Sequence, residues 1–326
     1  MRVLGIVARR LAYAAALILA VIVLNFLLVH LAPGDPAEVI AGEMGGTTQE
    51  ILAEIRHAYG LDKPLHEQLF IYLGRILRGD LGQSFYYNLP VADLILGRLG
   101  ATLLLVVAAL VWSVVIGTFL GVIAARRPDS PFSHFITILS LVGYAAPVFW
   151  TGIVLVIIFA WLIPIFPIAG MADAGIEGGG LAKAFDIARH LFLPAFTLGI
   201  IYLAQYSRLA RASMLEVLGA DYIRTARAKG LSERVVVGKH ALRNAILPII
   251  TIAGLQFGGL ISGAVLVETV FSWPGLGTLA LDAILGRDYP TILGILFLSA
   301  VMVIIANILT DLCYRLADPR IDTGGR

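Results

Sequence analysis

The chain has 326 residues, 59% of them hydrophobic and 14% charged, with a mean hydropathy of +0.90. Soluble domains carry about 25% charged residues, so too few polar side chains exist here to cover a water-facing surface. Disorder, coiled coil and a water-soluble enzyme are excluded, which leaves an all-α polytopic membrane protein. The net charge of +2 (24 basic, 22 acidic) says nothing by itself about partners. The single cysteine, Cys313, excludes an internal disulfide and a Cys-based metal cluster.

A helix needs about 20 apolar residues to cross the hydrocarbon core. Charge-free stretches at Leu11–Ala32, Leu99–Ala125, Phe135–Ala160, Ala245–Val267 and Thr291–Thr310 qualify. Leu191–Ser207, with 17 residues and Pro194, is the shortest and completes a count of six transmembrane helices. Leu11–Leu31 contains 13 Leu, Ile, Val or Phe residues. At about −0.3 to −0.6 kcal/mol each, they supply on the order of −4 to −8 kcal/mol for insertion. Arg2, Arg9 and Arg10 precede this run, as in a signal peptide. The run is nevertheless longer than the about 7–15 residues of a signal h-region. It ends in Val29-His30-Leu31-Ala32-Pro33, a poor cleavage site, so an uncleaved first helix is expected.

Lys and Arg in the loops set orientation. With segments assigned to alternate faces, the N-terminal face holds 16 basic and 7 acidic residues, or +9. The opposite face holds 8 basic and 15 acidic residues, or −7. Both termini are therefore expected in the cytoplasm. The expected organisation is a cytoplasmic N-terminus and first helix over 1–32, an external helical segment over 33–98, and a five-helix core over 99–326. That core contains a cytoplasmic loop over 208–244.

In the external segment, Thr47 followed by Glu50 fits a capping box. Ile51, Leu52, Ile55 and Tyr59 then mark one helical face, which Gly60 ends. A second helix is predicted from Pro64 to Arg78, with Leu65, Leu69, Tyr72, Leu73, Ile76 and Leu77 apolar and Gly79 as its stop. The segment reads equally as a cap over a pore mouth and as a docking surface. Gly170–His190, with Gly178, Gly179 and Gly180, is predicted to be a flexible external loop. In Glu268-Thr-Val-Phe-Ser-Trp-Pro-Gly-Leu-Gly277, Pro274, Gly275 and Gly277 forbid a continuous helix, while Phe271, Trp273 and Leu276 need an apolar setting. A re-entrant or interfacial loop packed in protein satisfies both demands. Glu268 is an acid near membrane depth, hence either a functional group or a carboxylate at the water interface.

In the loop Arg208–Arg243, Leu215, Leu218, Tyr222 and Ala226 fall at helical spacing and Gly230 ends that helix. Ser232 is placed to cap a second one, Glu233–Leu242, whose Lys239 and Arg243 suit the negative end of its dipole. Asn244 and Pro248 lead into the fifth span. Three readings fit a basic helix–turn–helix here: a topology signal, a DNA reader, or a docking element for a cytoplasmic motor. Spans that begin directly on both sides keep any helix out of a DNA groove, so no nucleic-acid partner is expected.

The run Arg224, Thr225, Ala226, Arg227, Ala228, Lys229, Gly230, Leu231, Ser232, Glu233, with His240, Arg243 and Asn244 before Pro248, resembles a known loop. It is the ATPase-contacting loop of dipeptide and oligopeptide ABC-importer permeases, a peptide/nickel-type family of binding-protein-dependent inner membrane components. Pro33-Gly-Asp-Pro36, Gly79-Asp-Leu-Gly-Gln-Ser84, Arg287-Asp-Tyr-Pro290 and Ala317-Asp-Pro-Arg320 resemble further blocks of that family, as does the Glu268–Gly277 run. The broader importer motif, Glu-Ala-Ala, three residues, then Gly, has Arg224-Thr225-Ala226 in its first three places, so its Glu is absent. The resemblance implies a type I ABC-importer permease fold in a bacterial inner membrane. It implies a second homologous permease, two ABC ATPase subunits and an external substrate-binding protein, with the 224–248 region coupling ATPase closure to the spans. It also implies an external gate or docking loop comprising Glu268, Phe271, Trp273, Pro274, Gly275, Gly277, Arg287 and Asp288.

No Gly-x4-Gly-Lys-Ser/Thr phosphate loop occurs, since Gly238-Lys239 is followed by His240. No catalytic, cofactor-binding or metal residue is expected in this chain, and ATP and Mg belong to the ATPase subunits. The six histidines (His30, His57, His66, His134, His190, His240) show no i, i+3 or i, i+4 pairing with one another. No ionisable residue interrupts a span core, which disfavours an ion-coupled carrier. Short peptides fit such a path. Nickel, glutathione and other small solutes remain open as cargo, and a membrane scaffold is the rival class.

Overall fold

A computed structural model of the chain describes residues 2–31, 37, 48–59, 61–84, 86–173, 175 and 180–317. In chain order, α1 (Arg2–Leu31) carries the first apolar run, and α2 (Gln49–Tyr59) and α3 (Leu65–Leu77) are the two helices expected outside the spans. Gly79 stops the chain after α3 at φ +77°, a conformation that favours glycine. A short hairpin pairs β1 (Gln83–Ser84) antiparallel with β2 (Leu89–Pro90). α4 (Val91–Arg126) follows without a break. α5 (Pro131–Ala145) begins with proline at its first position, and the Ser130 hydroxyl accepts the Ser133 N–H at 3.2 Å. α6 (Val148–Val156) continues into a π-helical turn, Ile157–Leu162. Then come α7 (Leu181–Leu218), α8 (Asp221–Ala228), α9 (Glu233–Ala245, with a π-helical turn at Val236–Ala241), α10 (Leu247–Val270), α11 (Leu276–Leu285) and α12 (Tyr289–Ala317).

Among the described residues, three helices are long and apolar enough to cross a membrane: α4, α7 and, within α12, Tyr289–Thr310. Two bent pairs, α5 with α6 and α9 with α10, raise the number to five, and α1 contributes the shorter apolar stretch Ala12–Leu28. The third expected span, Phe135–Ala160, is not one helix. It bends by 104° between α5 and α6 because Pro147 excludes helical backbone at Ala146, which sits at φ −75°, ψ 132°. Gly170–His190 is not all loop either, since α7 starts at Leu181. The weak Leu191–Ser207 stretch is the middle of that 38-residue helix, which carries Pro194 inside it. Thr47, Gly60, Gly178, Gly179 and the blocks Pro33–Pro36 and Asp318–Arg320 lie outside the described residues.

The chain divides into two compact units, residues 1–99 with 279–304 and residues 100–278 with 305–326. In the first, Asn25 Nδ2 on α1 donates to the Leu293 carbonyl at 3.3 Å. His30 bridges α1 to α3, with Nε2 at 2.8 Å from Gln68 Oε1 and Nδ1 at 2.8 Å from the Phe26 carbonyl. On α3 only Ile76 of the predicted apolar face is fully buried, while Leu65 and Leu77 are exposed, so the buried stripe is narrower than the sequence suggests.

The second unit is built around α7. Leu105, Val106 and Ala109 of α4, Leu193 and Leu198 of α7, Ala264 and Val267 of α10, and Phe271 and Trp273 beyond it form one buried cluster. Gly117 and Gly121 let α4 approach α7 at backbone distance. A Cβ on Gly117 would lie 2.9 Å from the Leu203 carbonyl oxygen, and one on Gly121 only 2.4 Å from that of Ser207. Small residues four apart are a common way for apolar helices to pack closely in lipid.

Candidate functional site

The basic loop forms an exposed turn on a small core of its own. Met214 of α7, Ile223 and Ala226 of α8, and Val236, Val237, Ala241 and Ala245 of α9 bury together with Ala125. The predicted face differs from this one. Ala226 buries and Leu218 packs against the core, but Leu215 and Tyr222 are exposed, the latter because the helix breaks at Gly219–Ala220 and the new helix starts in a different phase. Ser232 occupies the N-cap position of α9 with extended backbone, yet its hydroxyl makes no capping bond; the Val235 and Val236 N–H groups bond its carbonyl instead.

Across the turn, Gly230 takes φ +76°. Arg227 grips Glu233 with both ends of its guanidinium, Nη2 to Oε1 at 2.8 Å and Nε to Oε2 at 3.2 Å. This bond holds the Glu233 carboxyl below its ordinary range and raises Arg227 above its own. Arg224 pairs with Asp221 at 3.4 Å, and the Thr225 hydroxyl donates to the Asp221 carbonyl. Asn244 Nδ2 donates to the Tyr222 hydroxyl at 2.7 Å, tying the end of α9 back to α8. Arg224, Thr225, Arg227, Lys229, Gly230, Leu231, Ser232, Glu233, Arg243 and Asn244 are exposed, His240 is half-buried, and Ala226 is buried. The predicted set is thus one surface of mixed charge, with Leu231 and Val235 as its exposed apolar members.

At the other predicted loop, α10 ends at Val270 and α11 restarts at Leu276. Glu268 is fully buried, not a carboxylate at the water interface. Its Oε1 accepts the Thr102 hydroxyl at 2.7 Å, and its Oε2 accepts the N–H groups of Gly277 at 2.7 Å and Thr278 at 3.1 Å. Those amides belong to the first turn of α11, where a negative charge is favourable. Thr102 Oγ1 in turn accepts the Leu276 N–H at 2.7 Å, and Trp273 Nε1 donates to the Ala101 carbonyl at 2.8 Å. A Cβ on Gly275 would sit 2.1 Å from Glu268 Oε1, so glycine is what admits the carboxylate. Phe271 is buried as well, which leaves Pro274 and Arg287 as the exposed members of the predicted outer set.

Asp288 is a second buried carboxylate, in the first unit. It accepts the hydroxyls of Ser84 and Thr291, and the Thr291 hydroxyl bond is 2.6 Å. Two sequence blocks 204 residues apart, Gly79–Ser84 and Arg287–Pro290, therefore meet at this group. The roles of Thr102 and Thr291 were not legible from the sequence, because a lone hydroxyl in an apolar helix carries no motif, and nothing in the Gly79–Ser84 block points to Asp288 as the partner of Ser84.

Residues 117–323 match the family of binding-protein-dependent transport system inner membrane components, and residues 3–106 match the N-terminal family of the same membrane components. The chain is 43% identical to the di/tripeptide transport system permease protein DppB of Pseudomonas aeruginosa, over 98% of each chain. It is 41% identical to the dipeptide transport system permease protein DppB of Escherichia coli K12, again over 98% of each. It is 39% identical to the oligopeptide transport system permease protein AppB of Bacillus subtilis, over 96% of this chain and 98% of that one. A solved structure of the MetNI methionine ABC transporter in inward-facing conformations shares the fold. Its TM-score is 0.54, over 69% of this chain and 96% of that one, at 16% identity.

Proposed function

Because the chain belongs to the family of binding-protein-dependent transport system inner membrane components, we propose that it is the permease subunit of an ATP-driven importer of di- and oligopeptides. On this reading the chain has six spans and both termini in the cytoplasm, and the 104° bend at Pro147 falls within the third. A second permease subunit completes the pore, two ATPase subunits dock from the cytoplasm, and an external binding protein delivers the peptide. The chain itself contributes no chemistry on ATP; it converts ATPase closure into a change of access.

The observation that carries this reading is the exposed Arg224–Val235 turn, braced by Arg227–Glu233 and seated on the Met214–Ile223–Val236 core. A turn built this way transmits force instead of absorbing it. Buried apolar contacts under it make its displacement a displacement of α7 and α9 as bodies. The 43% and 41% identical relatives, aligned end to end, favour peptides as cargo.

The test is reconstitution of the chain with its partner subunits in vesicles, with radiolabelled dipeptide outside the loading face. Uptake should require ATP and the binding protein, and deletion of 231–234 should abolish it while membrane insertion persists. Uptake without ATP identifies an ion-coupled carrier, and ATP-driven uptake unchanged by the deletion removes the loop from coupling.

A further inference from the structure

Outside the two loops, three ligand-type side chains converge where the segment after α6 meets the start of α7. Asp173, Asp186 and His190 each offer a donor atom, and these atoms lie within 4.8 Å of one another. Asp186 and His190 stand one turn apart on α7 and are buried, while Asp173 is exposed. The fold has therefore placed a carboxylate and an imidazole under the surface, with a second carboxylate closing over them. A buried carboxylate is costly unless a positive group or hydrogen bonds compensate it.

The proton positions follow from the contacts. His190 Nδ1 has two neighbours, the Asp186 carbonyl at 2.9 Å and Asp186 Oδ1 at 3.3 Å, and both are acceptors. Nδ1 therefore carries the proton, and in the neutral ring Nε2 holds a lone pair. That nitrogen faces Asp173 Oδ1 at 3.6 Å without a hydrogen bond among the described residues. With the ring neutral, these two atoms are both acceptors, so a cation between them is favourable. No Lys or Arg supplies it among the described residues: Lys183 is exposed and pairs with neither carboxylate, and Arg189 donates to the Ile165 carbonyl at 3.0 Å. Asp186 Oδ2 is occupied by the Asp173 N–H at 2.8 Å, which orients the carboxylate.

We propose that Asp173, Asp186 and His190 form a binding site for a divalent transition-metal cation of the zinc class. One imidazole and two carboxylates suit such an ion, with a fourth position open to water. Bonds of about 2.0–2.2 Å on a tetrahedral ion set its donors about 3.4 Å apart, close to the 3.6 Å seen between Nε2 and Oδ1. An imidazole whose Nδ1–H is held by a backbone carbonyl has the outer-sphere bond usual for a ligating histidine. The ion is structural, not cargo. It clips the 163–173 segment to α7, and that segment is also tied to the Glu268 loop, since the Gly170 N–H donates to the Phe271 carbonyl at 2.8 Å.

The experiment uses the full chain, purified in detergent, stripped with chelator and titrated with Zn²⁺ against a chromophoric competitor, with thermal unfolding as a second readout. One zinc per chain should bind, and the melting temperature should rise with it. Asp173→Asn and His190→Gln should each weaken binding by at least about 100-fold, the upper end of what loss of an outer-sphere partner does. Asp173 is exposed, so Asp173→Asn tests the site without disturbing the buried helix face. Absence of saturable binding, or affinity in both variants equal to that of the parent chain, overturns the site. So does a His190-dependent stabilisation on acidification in a wild-type chain that takes no zinc, because a proton would then fill the gap. None of these outcomes depends on whether peptides are the cargo.

Discussion

Glu268 and Gly277 are joined by a 2.7 Å hydrogen bond from the Gly277 N–H to Oε2, which ends one long apolar helix and starts the next around a single buried carboxylate. Both oxygens are used as acceptors, so Glu268→Gln must present an NH2 group to an N–H or to the Thr102 hydroxyl. Leaving one buried polar group unmatched costs about 1–3 kcal/mol. A drop in melting temperature of the purified chain is expected, and a larger one for Gly275→Ala, whose new Cβ would overlap the carboxylate. An unchanged melt in both variants would remove Glu268 as the pin of this loop.

Asp288 makes a parallel case with a different partner set. Ser84→Ala takes one hydroxyl donor from a buried carboxylate and leaves Thr291. Destabilisation of about 1–3 kcal/mol is expected, and Ser84→Thr, which keeps the hydroxyl, should recover part of it. The check is denaturant or thermal unfolding of the three proteins side by side. Equal stability of Ser84→Ala and the parent would mean that water replaces the serine.

Much of this organisation was legible in the sequence because hydrophobic runs and glycine or proline stops are local signals. The first apolar helix, the two helices before α4, the break at Trp273–Gly275 and the two-helix basic loop all carry such signals. What the sequence hid was long-range. Nothing near Glu268 announces Thr102, 166 residues away, as its partner. The bend at Pro147 was legible in principle, since the residue before proline avoids helical backbone, but an uninterrupted apolar run masked it. The spacing of Leu215, Leu218, Tyr222 and Ala226 implies one continuous helix, whereas two helices meet at Gly219–Ala220, and Met214 and Ile223 are the residues that bury. The Asp186–His190 pair did have a local signature, an acid and a histidine four apart. An acid and a histidine at that spacing are common on helices, so the pair alone does not mark a site.

The Arg227–Glu233 bridge predicts a charge-reversal pattern. Arg227→Glu or Glu233→Arg alone should slow ATP-driven uptake severalfold, and the double exchange should restore much of it, with insertion equal in all three. Because Glu233 is held below its ordinary pKa of 4.5, the stability contribution of the bridge is complete above that value and is lost as pH falls through the lowered one. At pH 6–8 the bridge is therefore pH-independent. Both partners are exposed, so its worth is at most about 1 kcal/mol and shrinks with salt. Titration of unfolding stability from pH 7 to 3 against Glu233→Gln checks this, and identical pH profiles would show that the bridge does not contribute.

Gly121 and Gly74 give the sharpest contrast between helical glycines. A Cβ at Gly121 would meet backbone, 2.4 Å from the Ser207 carbonyl oxygen and 2.9 Å from the Arg211 nitrogen, and backbone has no alternative rotamer. Gly121→Ala must push α4 and α7 apart, with a cost of about 1–3 kcal/mol typical of overpacking. A Cβ at Gly74, inside α3, meets nothing within 4 Å. Gly74→Ala should therefore stabilise by about 0.5–1 kcal/mol through helix propensity alone. Opposite shifts in melting temperature are expected from the same chemical change. Because α7 carries Met214, on which the exposed turn is seated, Gly121→Ala should also lower ATP-driven uptake while Gly74→Ala leaves it intact. Equal uptake by the two variants, with the destabilisation of Gly121→Ala confirmed, would mean that the α4–α7 contact supports the fold without carrying the motion.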